Sequence, residues 1–253
     1  MLHALCLHDN RDYWIRLEGD QAVELSAAPW DHTARDVRRF PFDPTVSFWP
    51  PCAPTKIVCV GKNYREHVKE LHPGEEAPAE PLIFLKPPSA LLESGGAIIM
   101  PPESQRVDYE GELGVVIGCR LSRPNLDEAR AGIFGYVPAN DVTARDLQKK
   151  DGQWTRAKGF DTFCPLGPHV ETDVDPAGLN ISLSVNGRVK QTSSTALMIR
   201  TVEEIISFVS QVMTLLPGDV VLTGTPPGVG PVAIGDVVEV EIEGIGSLRN
   251  KVT

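Results

Sequence analysis

Glu110 and Glu112 stand two residues apart in RVDYEGELGVVIG, and Asp141 follows about thirty residues on, in GYVPANDVTARD. Both stretches read as β-structure, and residues i and i+2 of a strand project from the same face. The spacing predicts two carboxylates side by side in one space. Held there away from water, two anions repel unless a cation joins them. Three acidic oxygens on a rigid frame suit Mg²⁺ or Mn²⁺, with coordination sites left open for water or substrate. The bland alternative is a solvated strand face, since most acids are exposed. Against it, LGVVIG after Glu112 and IFGYVPAN before Asp141 are apolar, which sets the acids at the rim of a core.

Cations must balance such a site. Arg145 and Gln148 lie four and seven residues beyond Asp141 in TARDLQ, a spacing that shares one face if the chain turns helical there. An arginine there can grip a carboxylate through two parallel hydrogen bonds. Lys158, in WTRAKGFDTFCPLGP, is a second candidate. Both are equally readable as surface charges. His67 and Glu70 in YREHVKEL are three apart and meet on a helix, where Glu70 would orient the imidazole as a general base. An exposed helix carrying ordinary charge pairs fits the same residues. The loop from Thr223 to Gly230 is glycine-rich without the lysine of a P-loop or the helix of a dinucleotide fingerprint. Its N–H groups and the hydroxyls of Thr223 and Thr225 can cradle a carboxylate, or simply turn the chain.

The elements that must position these groups are mostly strands. Residues 1–50 read as a small N-terminal β module, with short alternating strands and a turn at Gly19 and Asp20. Five prolines between Pro41 and Pro54 mark a linker. The main domain, residues 51–253, opens on the buried strand KIVCVG. A helical segment over residues 64–71 follows, flanked by Gly and Pro residues that would let it move as a lid. NLDEARAGIF is a short helix capped by Asn125, and Asn186 with Gly187 between alternating runs signals a hairpin. Thr201 and Glu204 form a capping box that opens a helix reaching to about Leu216, before Pro217 and Gly218. Few, separated helices among many strands predict a β-rich α+β fold rather than a doubly wound sheet.

At 253 residues the chain can bury a full core in one large domain with a small appendage. Its 24 basic and 34 acidic side chains give a net charge of −10 and a pI near 5.1, which argues against nucleic acid or an anionic membrane as partner. A small anionic substrate remains compatible, since local cations would hold it. Five scattered cysteines without a C-x-x-C read as reduced, mostly buried thiols of a cytoplasmic protein, with little to single out a nucleophile. The start of the chain does not read as a signal peptide, and no apolar run reaches membrane-spanning length.

In order, KIVCVGKNYREHVKEL, EPLIFLKP, DYEGELGVVIG, NDVTARDLQ, AKGFDTFCPLGP, LSVNG and PGDVVLTGTPPGVG resemble the fumarylacetoacetate hydrolase family over about residues 55–253. The resemblance implies a mixed β-sandwich roll, usually a homodimer, with Mg²⁺ or Mn²⁺ on Glu110, Glu112 and Asp141. It implies that Arg145, Gln148 and Lys158 contact a 2-oxo acid, that His67 and Glu70 match a lid dyad of hydrolytic members, and that Thr225 or Thr223 touches the substrate carboxylate. The expected activity is hydrolysis of a C–C bond beside a 2-oxo acid, of acylpyruvate or fumarylpyruvate type, with oxaloacetate decarboxylation at the same site. The alternative is an isomerase, tautomerase or decarboxylase of 2-hydroxyhepta-2,4-diene-1,7-dioate-type compounds in aromatic catabolism. A hydratase of 2-hydroxydienoates is a further reading, and a metal-stabilised protein without turnover belongs to a different class.

Overall fold

The computed structural model describes the chain except residues 9–10, 44–46, 72–73 and 75. Its spine is an eleven-stranded mixed sheet. At its middle lie Ile133–Asn140, Gly111–Ile117, Val220–Leu222 and Ile57–Gly61, each hydrogen-bonded to the next. Val220–Leu222 and Ile57–Gly61 pair in parallel, while Gly111–Ile117 pairs antiparallel to both of its neighbours. These strands read as continuous apolar runs because both faces are covered: every residue of Gly111–Ile117 is buried. Leu82–Lys86 closes one edge.

A second, five-stranded sheet runs Arg188–Ser194, Asn180–Val185, Val237–Ile242, Gly246–Val252 and Ala97–Ile98. Leu113, Val115 and Ile117 of the first sheet share one core with Ile181, Leu183, Val240 and Leu248 of the second, a β-sandwich packing. The N-terminal strands Leu2–His8, Arg11–Glu18, Gln21–Leu25 and Asp36–Pro41 form an antiparallel meander with a small core of its own. The meander extends the large sheet through Leu2 opposite Glu171 and His3 opposite Val170.

Among the described residues five α-helices serve the sheets: α1 Arg65–Leu71, α2 Leu126–Ala131, α3 Arg145–Asp151, α4 Thr155–Lys158 and α5 Val202–Val212. Asn125 caps α2 and Thr201 caps α5, each in a reciprocal capping box, with Glu128 and Glu204 respectively. The hairpin at Asn186 and Gly187 has positive φ at both residues (52° and 74°), as a two-residue turn between right-twisted strands requires. Helix α5 ends at Val212, short of the expected Leu216. Met213 is extended, and Leu215 leaves the helix to pair with Leu121.

Four cysteines are buried, Cys119 is exposed, and all five are free thiols. Among the described residues no helix is long and apolar enough to cross a membrane.

Candidate metal centre and active site

Glu110, Glu112 and Asp141 converge at the rim of the large sheet. One carboxylate oxygen of each lies within 4.8 Å of the others, and all three side chains are buried. The route to that geometry differs from a simple i, i+2 strand. Glu110 sits in a break between Val107–Tyr109 and Gly111–Ile117. Its N–H donates to Asn140 Oδ1 (2.9 Å), and Asp141 N–H donates to Glu110 O (2.8 Å). Asp141 follows the strand Ile133–Asn140 in non-helical chain, so Arg145 and Gln148 reach the acids from α3, not from a helix face shared with Asp141.

The cations are buried, which excludes the surface-charge reading of Arg145 (5 % exposed) and Lys158 (2 %). Lys158 Nζ bridges Glu110 Oε2 (2.9 Å) and Asp141 Oδ2 (2.5 Å) and stands 4.9 Å above the Phe84 ring. Arg145 donates from Nε to Asp108 Oδ2 (2.9 Å), from Nη1 to Gln148 Oε1 (2.7 Å) and from Nη2 to Glu110 Oε1. Burial opposes ionisation of Glu110, but Lys158 and Arg145 outweigh it and hold its carboxyl well below the usual range. Burial likewise opposes charging Lys158 and Arg145, yet the carboxylates Asp141 and Glu110 beside Lys158, and Glu110 and Asp108 beside Arg145, keep both firmly protonated.

Glu112 is different. Among the described residues it makes no salt bridge; Gly224 N–H donates to its Oε2 at 2.7 Å. Burial, then repulsion from Asp141 and Glu110, push its pKa well above the ordinary value. A buried carboxylate beside two others with no cation of its own is the condition a divalent ion would relieve, and three carboxylate oxygens are a hard-ion donor set. The residues present therefore fit Mg²⁺ or Mn²⁺. Gly224 can serve Glu112 only as glycine: its φ is +100°, and a Cβ would come within 2.8 Å of Asn63 Cβ.

A cavity of about 170 Å³ opens onto these groups, lined among others by His67, Phe84, Gln148, Trp154, Lys158 and Thr225. His67 is 7 % exposed, and its Nδ1 finds no hydrogen-bond partner among the described residues. Burial lowers its pKa, so the ring is neutral near pH 7. Glu70 lies 3.6 Å from Nδ1, and both its oxygens accept Gly228 N–H at 3.1 Å. The glycine-rich loop thus cradles two of the protein's own carboxylates, Glu112 and Glu70. Thr225 reaches the cavity and donates to Gly111 O (2.9 Å), whereas Thr223 turns its hydroxyl to Leu113 O (2.9 Å) and is fully buried away from it.

Three further neighbours of the site escape a reading of sequence alone. Lys86, fully buried at the end of Leu82–Lys86, donates to Asp141 Oδ1 (2.6 Å) and Val142 O (3.0 Å). Asp108 anchors Arg145. Gln191 ties Gly111 N–H, Thr225 Oγ1 and Pro226 O together. The only sequence signals are a single lysine closing an apolar strand and an acid two residues before Glu110.

Residues 56–253 match the family model described as fumarylacetoacetate (FAA) hydrolase, C-terminal. The chain is 48% identical over 215 residues to oxaloacetate tautomerase FAHD2A, mitochondrial, of Bos taurus, covering 80% of this chain and 68% of that protein. Its structure resembles that of 5-carboxymethyl-2-hydroxymuconate delta-isomerase from Mycobacterium smegmatis (TM-score 0.92, 41% identity, 100% of this chain and 99% of that one). It also resembles 2-hydroxyhepta-2,4-diene-1,7-dioate isomerase from Mycobacterium marinum (TM-score 0.90, 44% identity, 100% and 98%). Both structures align with the whole chain, so the N-terminal meander is common to them, although the family model begins at residue 56.

Proposed function

The chain belongs to the fumarylacetoacetate hydrolase family, and from that premise we propose a metal-dependent enzyme that moves a proton beside the 2-oxo group of a small dicarboxylate. It would act as a keto–enol tautomerase or double-bond isomerase. The observation that carries this reading is the placement of a buried His67 and a buried Lys158 on one cavity with the three converging carboxylates. Relatives named as a tautomerase and as isomerases, at 41–48% identity, support it.

Glu110, Glu112 and Asp141 would hold Mg²⁺ or Mn²⁺, which when bound supplies a Lewis acid for the 2-oxo oxygen. Arg145 spends three of its N–H groups on Asp108, Gln148 and Glu110 and keeps two to grip a substrate carboxylate. Gln148 supplies an amide to the same wall. His67 takes a proton from the carbon next to the 2-oxo group; handing that proton to the 2-oxo oxygen gives the enol, and handing it to the far carbon of the conjugated enolate moves the double bond. Lys158, fixed and charged, stabilises the negative charge that develops between the two events. Phe84 and Trp154, packed edge to face at 5.1 Å, keep water from that side.

Hydrolysis or decarboxylation at the same site is the second reading. Glu70, 3.6 Å from His67 Nδ1, is one small side-chain movement from the pair a water activator needs. Both readings are separated by supplying oxaloacetate, acetylpyruvate and fumarylpyruvate with Mg²⁺ and then with chelator. A chelator-sensitive change in enol absorbance without pyruvate is the expected result. Chelator-sensitive pyruvate from the acylpyruvates would establish the hydrolase, and pyruvate from oxaloacetate alone a decarboxylase. No metal-dependent change with any of them would overturn the enzyme assignment.

A further inference from the structure

In each of the three carboxylates, one oxygen is already committed to a fixed donor. Thr143 Oγ1 (3.1 Å) and Arg145 Nη2 hold Glu110 Oε1, Gly224 N–H (2.7 Å) holds Glu112 Oε2, and Lys86 Nζ (2.6 Å) holds Asp141 Oδ1. The second oxygens of Glu110 and Asp141 accept from Lys158 Nζ (2.9 and 2.5 Å), which unlike Lys86 lines the cavity where an ion would enter, and no other described group donates to Glu112. Of these restraints Lys86 is the most expensive to install. Its ammonium is entirely buried, lines no part of the cavity, and has Val142 O as its one other described acceptor. A neutral residue would cost less if only packing were required at the end of this edge strand.

We propose that Lys86 is a positioning residue that forces Asp141 to offer a single oxygen, and so sets the preference of the site for Mg²⁺ or Mn²⁺ over Ca²⁺. The inference rests on the metal reading given above. Ca²⁺ takes six to eight oxygens at about 2.3–2.6 Å and gains from two-oxygen carboxylate binding, whereas Mg²⁺ takes six at about 2.0–2.1 Å in a fixed octahedron. Turning both Asp141 oxygens to one ion would cost the bond from Oδ1 to Lys86, which is sealed behind the cavity, whereas Oδ2 is held only by the cavity-lining Lys158. The Lys86 charge itself disfavours every divalent ion alike. The ratio of affinities therefore cancels the charge and isolates the positioning.

The test follows Mn²⁺ binding through the free-ion electron paramagnetic resonance signal, with Mg²⁺ and Ca²⁺ as competitors, in the wild type and Lys86→Met. Wild type should release Mn²⁺ to Mg²⁺ more readily than to Ca²⁺. In Lys86→Met the Ca²⁺-to-Mn²⁺ preference should move toward Ca²⁺ by about tenfold, the lower end of what outer-layer partners of metal ligands confer. A folded Lys86→Met with an unchanged ratio would overturn the inference while leaving the metal site standing. If the variant does not fold, the wild type decides alone: Ca²⁺ displacing Mn²⁺ as well as Mg²⁺ does overturns the proposal. No Mn²⁺ binding by the wild type would sink the metal reading itself, and this inference with it.

Discussion

Replacing Glu112 by Gln should make the metal-free protein more stable and remove its response to divalent cations. The ligand oxygens of Glu110, Glu112 and Asp141 lie within 4.8 Å of one another. At an effective dielectric of about 20, two unit charges at that distance repel by roughly 3.5 kcal/mol. Lys158 and the Gly224 N–H offset part of this for Glu112, which leaves a net gain of about 2 kcal/mol for a neutral residue of the same shape. For a chain of this size that is a rise in Tm of about 4–8 °C.

The gain carries a pH signature. Burial, then Asp141 and Glu110, raise the folded pKa of Glu112 above its ordinary 4.5, so the folded state keeps this proton after the unfolded chain has lost it. The wild type therefore loses stability as pH climbs from 4.5 until the folded carboxyl ionises, and Glu112→Gln does not. Thermal unfolding in chelator should show a small difference at pH 5 and a wider one at pH 8. Added Mn²⁺ should raise the Tm of the wild type only. A variant less stable than wild type in chelator at pH 8, or one that keeps the Mn²⁺ shift, would refute the charge reasoning.

Two further outcomes are expected. His67→Ala should reduce turnover by about 10²–10⁴-fold with little change in Tm. Because burial lowers the pKa of His67, the acid limb of wild-type kcat/KM should lie below pH 6.5 and vanish in the variant; a limb above pH 7 would contradict the base role. In the N-terminal meander, burial and then the Arg16 charge push His3 down to about 4, so it stays neutral in the fold while the unfolded chain protonates near 6.5. Stability should fall as pH drops from 6.5 toward 4, by at most about 3 kcal/mol. Equilibrium urea unfolding of His3→Gln should show that part of the slope removed, and an unchanged slope would exclude His3 as its source.

Local chemistry was legible in the sequence, and long-range burial was not. The cap at Asn125, the capping box at Thr201 and the turn at Asn186 and Gly187 depend on neighbours three residues away or fewer, and all three form. The acid triad was legible from residue type, but its predicted cause was incomplete: Asn140 and a strand break place Glu110, not strand alternation alone. The end of α5 was missed because Leu215 answers to Leu121, far away in the chain. Arg145 and Lys158 look like any other charges until the fold buries them. Lys86 gives no sign that it will reach across the sheet to Asp141, because a lysine's meaning is set by its partner and its access to water.

The proposed chemistry is a metal-assisted proton transfer beside a 2-oxo group. The most direct measurement is hydrogen exchange at that carbon, followed by NMR for oxaloacetate in D₂O with Mg²⁺ and corrected for the uncatalysed rate. Wild-type protein should accelerate deuterium uptake in a chelator-sensitive way, and His67→Ala should not. Uptake no faster than the uncatalysed rate, or unaffected by chelator, would contradict the account.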